Sequence, residues 1–215
     1  MSETRAISPQ GTGKARQTLG EADTQRPVDR RVRKTKALLK HCLAELLKTK
    51  KINEITVREL TDLSDLNRGT FYLHYRDVYD LLEKTEDELI DAVHELLQQH
   101  EPAELKLHPH VIFEEIFTLA KDNRDIVEIL MGEHGDLQFQ DRLKEVVKEK
   151  CLKDAMEVYR SKNPENYTVF FYFMLSGCIG ILQYWIKTGF KESPSEIARI
   201  TEKILHDGIQ SLDQI

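Results

Sequence analysis

LNRGTFYLHY, residues 66–75, sets a basic residue, a glycine and a threonine ahead of four rings, Phe71, Tyr72, His74 and Tyr75. Glycine and crowded aromatics are poor helix formers, and so short a helix does not stand alone in water. Such a stretch folds only if its neighbours hold it. Just before it, TVRE (56–59) is a capping box, in which Thr56 caps a helix start and Glu59 reaches back. That helix ends near Leu63, SDLN (64–67) reads as a turn, and Asn67 is a good N-cap for the next short helix. Further upstream, from Val32, apolar residues recur at helical spacing as Leu38/Leu39, Cys42/Leu43 and Leu46/Leu47. The polar run 48–53 closes that first helix. Downstream, a long helix is expected from Asp77 to about Gln99, with Leu81/Leu82, Leu89, Val93 and Leu96/Leu97 on its inner side.

Two short helices joined by a tight turn and preceded by a longer one make a three-helix helix-turn-helix. In such units the second short helix lies in the DNA major groove with its N-terminal residues at the bases. Asn67, Arg68 and Thr70 then sit where donors and a guanidinium reach phosphates or base edges. Gly69 lets the backbone press against the sugar-phosphate wall. Phe71 and Tyr75, four apart, anchor the helix, while Tyr72 and His74 present polar tips outward.

The segment ITVRELTDLSDLNRGTFYLHYRDVYDLLE (55–83) resembles the N-terminal domain of the TetR/AcrR (tetracycline-repressor-like) family of bacterial transcription regulators. The matching positions are Thr56, Asn67, Arg68, Gly69, Thr70, Phe71, Tyr72, His74 and Tyr75, and the likeness covers about residues 30–83. It implies an all-α homodimer whose N-terminal domains read a palindromic operator in double-stranded DNA and whose C-terminal domains dimerise and bind a small effector. The DNA-binding residues it implies are Arg33, Thr56, Arg58, Asn67, Arg68, Gly69, Thr70, Tyr72 and His74. Two positions depart from the pattern. Asp65 stands for the turn glycine, although Asp tolerates the left-handed conformation better than most residues. Val78 replaces a lysine at the start of the fourth helix, removing a phosphate contact that Arg76, or Arg30, Arg31 and Arg33, could restore.

Charge is spread unevenly. The net −6 divides into +7 over residues 1–76 and −13 over 77–215, which by charge alone suits either a polyanion-binding head on an acidic body or a basic tail on an ordinary domain. Residues 1–28, rich in Thr, Gln, Gly, Ser and Arg, read as a flexible basic arm. The domain pattern is therefore the arm, a DNA-binding domain at 29–83 with its motif at 56–75, and a sensing and dimerisation domain at 84–215. Three scattered cysteines, Cys42, Cys151 and Cys178, argue for a reducing compartment, and no signal peptide is legible, so the cytoplasm is expected.

Beyond residue 99, helices are expected at 109–122, 125–132, 137–160, 164–189 and 194–212. Asn163-Pro164 and Ser193-Pro194-Ser195-Glu196 give the last two their starts. The uncharged run TVFFYFMLSGCIGILQYWI (168–186) is long enough to raise a membrane span. The family resemblance implies instead a penultimate helix between its own core and a partner subunit, with Ser176, Gly177, Gly180 and Tyr184 at the contact. Phe113, Phe117, Phe139, Phe170 and Trp185 are candidate effector-pocket residues, although aromatics at helical spacing are more often core. His94, His100, His108 and His110 lack metal-ligand spacing, so no metal is expected. No Ser-His-Asp order, phosphate loop or paired-carboxylate motif supports catalysis, and no cofactor is implied. Two regulatory readings remain: a ligand-responsive DNA-binding protein, most simply a repressor, and a coactivator working mainly through protein contacts.

Overall fold

Each segment with an apolar stripe is a helix in the computed structural model, which describes residues 22–101, 109–132, 135–159 and 164–210. In chain order these are α1 (Ala22–Leu47), a 3-10 turn (Ile52–Glu54), α2 (Val57–Leu63), α3 (Arg68–Tyr72) and α4 (Val78–Gln99). They continue as α5 (Pro109–Asp122), α6 (Arg124–Met131), α7 (Leu137–Tyr159), α8 (Pro164–Lys187) and α9 (Pro194–Gln210). No strand occurs among the described residues, and the all-α class stands.

The chain divides into two units, Met1–Ala37 and Leu38–Ile215. The first is helical from Ala22, inside the stretch 1–28 read as a flexible arm; residues 1–21 lie outside the described residues. The early part of this helix, ADTQRPVDRR, carries almost no apolar side chain, so no periodicity marks it in the sequence. Arg30, Arg31, Arg33 and Lys34 are exposed.

In the second unit, one core gathers Leu39, Cys42 and Leu43 of α1, Leu60 of α2, Phe71 of α3, Tyr75, and Val78 and Leu81 of α4. A second core joins Leu89 and Ile90 of α4 to Phe117, Leu130, Met131, Phe139, Trp185 and Ile197 from α5 to α9. α4 thus has one end in each, and Val93 and Leu97 extend it to a third cluster with Ile112. Burying one such large apolar side chain contributes roughly 1.5–3 kcal/mol. Thr85, buried mid-helix, satisfies its hydroxyl on the Leu81 carbonyl at 2.7 Å.

The capping box at Ser193 forms: its Oγ accepts from the Glu196 amide at 3.2 Å, and the Glu196 carboxylate accepts from the Ser193 amide at 2.8 Å. Asn163, read as the cap of α8, lies outside the described residues. α8 stops at Lys187 rather than at 189 because Gly189 turns left-handed, at φ +74°. The Gly189 and Phe190 amides then close on the carbonyls of Ile186 and Trp185 at 2.9 and 2.8 Å.

Candidate nucleic-acid interface and inner cavity

α2 begins as its capping box dictates. Thr56 Oγ1 accepts from the Glu59 amide at 3.2 Å, and the Glu59 carboxylate accepts from the Thr56 amide at 3.1 Å. Lys50 bonds the same carboxylate; that bond, then those from Thr56, hold it below the usual carboxylate range. After Ser64 the chain reverses through Asp65 at φ 51°, the left-handed turn for which glycine is the usual residue. The Leu66 amide bonds back to the Thr61 carbonyl at 3.0 Å. Asn67 Oδ1 then accepts from the Gly69 amide at 2.7 Å and starts α3. A Cβ at Gly69 would stand 3.2 Å from that oxygen, so the glycine also gives the cap room.

α3 is a single short turn held from beneath. Phe71 is fully buried and Tyr75 nearly so, their rings 5.7 Å apart. The outward stripe is Arg68, Gly69, Tyr72, Leu73 and Arg76, all exposed; Thr70 and His74 are half-buried. Sequence reasoning placed His74 in the outward set and overlooked Leu73. The helix ends at Tyr72, but the Leu73 and Tyr75 amides still reach the Gly69 and Phe71 carbonyls at 3.2 and 3.0 Å; with Phe71 and Tyr75 inward, this spacing puts Leu73 on the opposite side and His74 part-way in. Thr56 and Arg58 are exposed at the start of α2, with Arg58 Nε 3.5 Å from Asp62.

α4 begins where the Asp80 amide donates to Asp77 Oδ1 at 2.8 Å. Buried Asp80 collects the Arg76 amide (2.9 Å), the Arg76 guanidinium (3.1 and 2.9 Å) and the Lys84 ammonium (2.9 Å). The hydrogen bond from Lys84, then those from Arg76, hold its carboxyl at about 2. Lys84 also donates to the His74 carbonyl at 3.2 Å, tying the end of α3 to α4. Arg76 is thus exposed yet engaged, and Val78, where the family pattern has lysine, points into the core.

Deeper in the second unit is a cavity of about 230 Å³ lined from α4 to α8. Its walls include Val93, Phe113, Phe117, Leu143, Met174 and Leu182, with Cys178 and Lys144 its chief heteroatom-bearing side chains. Of the candidate effector residues, Phe113 and Phe117 line it; Phe139, Phe170 and Trp185 do not. Trp185 is core, its Nε1 donating to the Glu192 carbonyl at 3.1 Å and its ring edge-on to Phe117 at 5.4 Å. Beside Leu143, Arg142 of α7 reaches Asp87 and, at 3.3 Å, Glu86 of α4. Burial, with Asp136, Asp87 and Glu83 nearby and only Arg142 opposing, pushes the Glu86 carboxyl up to about 7.

The outer side of α8 is a stripe of Val169, Tyr172, Phe173, Ser176, Gly177, Gly180 and Tyr184, all exposed. A Cβ at Gly177 or Gly180 would meet nothing within 4 Å. By length and composition the helix could cross a membrane, with mean hydropathy 1.6, but its inner face packs Phe171, Leu175, Trp185 and Ile186 against the protein. His100 and His110 pair with Glu115 (2.7 Å) and Glu202 (3.2 Å); among the described residues no cluster could hold a metal ion, and His108 lies outside them.

Residues 108–207 match the family model described as "Transcriptional regulator C-terminal region". The chain is 24% identical over 182 residues to the uncharacterized HTH-type transcriptional regulator YxbF of Bacillus subtilis (strain 168), covering 84% of this chain and 47% of that one. It thus spans about half the length of that relative. The fold is similar to that of a TetR transcriptional regulator from Streptococcus agalactiae 2603V, with TM-score 0.54, 22% identity, and 84% and 98% of the two chains covered. It is also similar to FadR of Bacillus subtilis, solved in complex with stearoyl-CoA, with TM-score 0.55, 12% identity, and 79% and 96% covered.

Proposed function

We propose that this chain, which matches a transcriptional-regulator C-terminal region over residues 108–207 and shares the fold of TetR transcriptional regulators, is a regulator of that type that binds a palindromic DNA operator as a homodimer and represses transcription. Its role is regulation, not catalysis. The observation that carries this reading is the outward stripe of α3, with Arg68 and Tyr72 presented to solvent by a helix pinned through Phe71 and Tyr75. In this reading residues 29–83 are the DNA-binding domain, with the motif at 56–75, and 84–215 the sensing and dimerisation domain. Arg68, Tyr72 and Thr70 contact the groove, and Thr56, Arg58, Asn67, Gly69 and His74 contact or position the backbone. Arg33 and its basic neighbours add phosphate attraction, and a DNA-reading role places the protein in the cytoplasm.

Dimerisation is supported by the exposed apolar stripe of α8 and by Ile200 and Ile204, exposed on α9. An apolar face of this extent suits a second copy, and two-fold symmetry makes the contact isologous. The cavity supports modulation by an effector with an apolar or alkyl body, since its walls offer almost no polar partner. FadR, bound to an acyl-CoA, carries such a ligand on the same fold.

A second reading, a coactivator acting mainly through protein contacts, is favoured by one observation: Val78 is buried and offers no phosphate contact at the head of α4. A gel shift with the full chain alone on its own upstream DNA separates the two. Specific binding that falls by ~1–3 kcal/mol in Arg68→Ala or Tyr72→Ala, with Tm unchanged, is the expected result. No specific shift, or two variants that bind like wild type, overturns the DNA-reading assignment.

A further inference from the structure

Leu73 is 79% exposed, more than any other large apolar side chain described, and it stands on the reading stripe itself. Its neighbours there are Arg68, Gly69, Tyr72 and Arg76. Among the described residues it belongs to no hydrophobic cluster. Phe71 and Tyr75 already anchor this segment in the core beneath it. The alkyl group also lies one helical row from Gly69, four residues earlier, where the missing side chain lets the backbone approach a groove wall. An isobutyl group in the major groove cannot donate or accept a hydrogen bond. The one base-edge feature it can distinguish is a methyl, and thymine carries it at C5.

We infer that Leu73 is a specificity residue of the recognition unit and reads a thymine C5-methyl in each half-site. This rests on the DNA-binding reading above. Arg68, with Tyr72 at 58% exposure, supplies polar contacts on either side, while Leu73 excludes water from the methyl. Removing that methyl, or the side chain that meets it, costs the same contact. The two losses should therefore overlap rather than add.

The test starts from duplexes selected out of random DNA by the full chain. In the preferred duplex each thymine is replaced in turn by uracil, which keeps the pairing and removes only the methyl. Affinities of wild type and Leu73→Ala are read by fluorescence anisotropy, with Tm as the check on folding. The expected result is one thymine per half-site at which uracil weakens wild type roughly three- to tenfold. Leu73→Ala should lose about as much on the thymine duplex, lose nothing more on the uracil duplex, and melt like wild type. Uracil tolerated at every position, selected sites with no recurring thymine, or a uracil penalty undiminished in Leu73→Ala overturns the assignment. Equal affinity of wild type and variant for every duplex also overturns it and leaves the side chain to a protein partner. A chain that selects no sequence overturns the DNA-binding reading together with this one; selection without a methyl effect overturns this one alone.

Discussion

α3 and α8 use their two faces in opposite ways. α3 hides Phe71 and, just beyond its end, Tyr75, and shows solvent a mostly polar stripe with a single leucine. α8 hides Phe171, Leu175, Trp185 and Ile186 yet leaves Val169, Tyr172, Phe173 and Tyr184 in water as well. A stripe of the first kind is content in solvent and gains specificity in a charged groove. One of the second kind is contiguous apolar surface, stabilised by whatever covers it. α3 is also short and held by caps and packing, whereas α8 runs 24 residues and is held along one face by packing. The difference predicts that mutations under α3 act on folding, and those outside α8 act on assembly.

The largest effect should separate two phenylalanines. Phe71→Ala empties a fully buried site and should destabilise the chain by about 3–5 kcal/mol, taking DNA binding with it. Phe173→Ala, at a side chain 68% exposed, should change only the concentration-dependent part of stability. Urea unfolding of both variants at two protein concentrations decides it; a large, concentration-independent loss in Phe173→Ala would break the comparison.

Gly177→Leu comes next. The site has open space around it in the single chain, so the added side chain should meet only a partner. Overpacking there should weaken association by about 1–3 kcal/mol, with binding to a palindromic site falling in parallel. Light scattering at micromolar concentration beside a gel shift provides the check. A monomeric wild type that still binds a palindrome tightly is the contrary outcome.

A smaller effect concerns α4, the helix that joins the two regions. Glu86 has its folded pKa raised from 4.5 to about 7, chiefly by burial. The folded state therefore holds a proton that the unfolded chain releases, and this contribution is full below about pH 4.5 and lost as pH rises to 7. At pH 8 the charged, buried carboxylate costs about 1–3 kcal/mol even with Arg142 beside it. Glu86→Gln should accordingly raise Tm at pH 8 relative to wild type and leave it unchanged or lower at pH 5. A difference between the two proteins that does not vary with pH would show that Glu86 is solvated. The smallest effect is at Tyr75, whose buried hydroxyl has no hydrogen-bond partner among the described residues and whose pKa burial raises to about 12. Tyr75→Phe should leave stability within about 1 kcal/mol of wild type, on the favourable side, by calorimetry. A clear loss would reveal a partner, such as a bridging water, for that oxygen.

Most helices were legible in the sequence because each carries its own local evidence. The capping boxes at Thr56 and Ser193, the Asn67 cap and the left-handed turn at Asp65 depend on residues within a few positions of one another. α5, α7 and α9 begin where their apolar spacing or proline said they would, at 109, 137 and 194. The early part of α1 was not legible, since a polar helix has no stripe to count. The 3-10 turn at Ile52–Glu54 was hidden in a run read only as polar.

The reading face lay between these cases. Composition and spacing picked out Arg68 and Tyr72 as outward, because α3 keeps helical geometry through both. The packing of Phe71 and Tyr75 together against α1 and α4 fixes which side is inward, and that rotation brings His74 half inward and leaves Leu73 in solvent. The cavity lay further out of reach. Phe113 and Phe117 line it while Phe139 and Trp185 serve the core, yet all four are aromatics at helical spacing on apolar faces. Local periodicity tells which side of a helix is apolar. Whether that side meets packed neighbours, an empty volume or a second molecule depends on where four or five other helices stand, and only their mutual packing sets that.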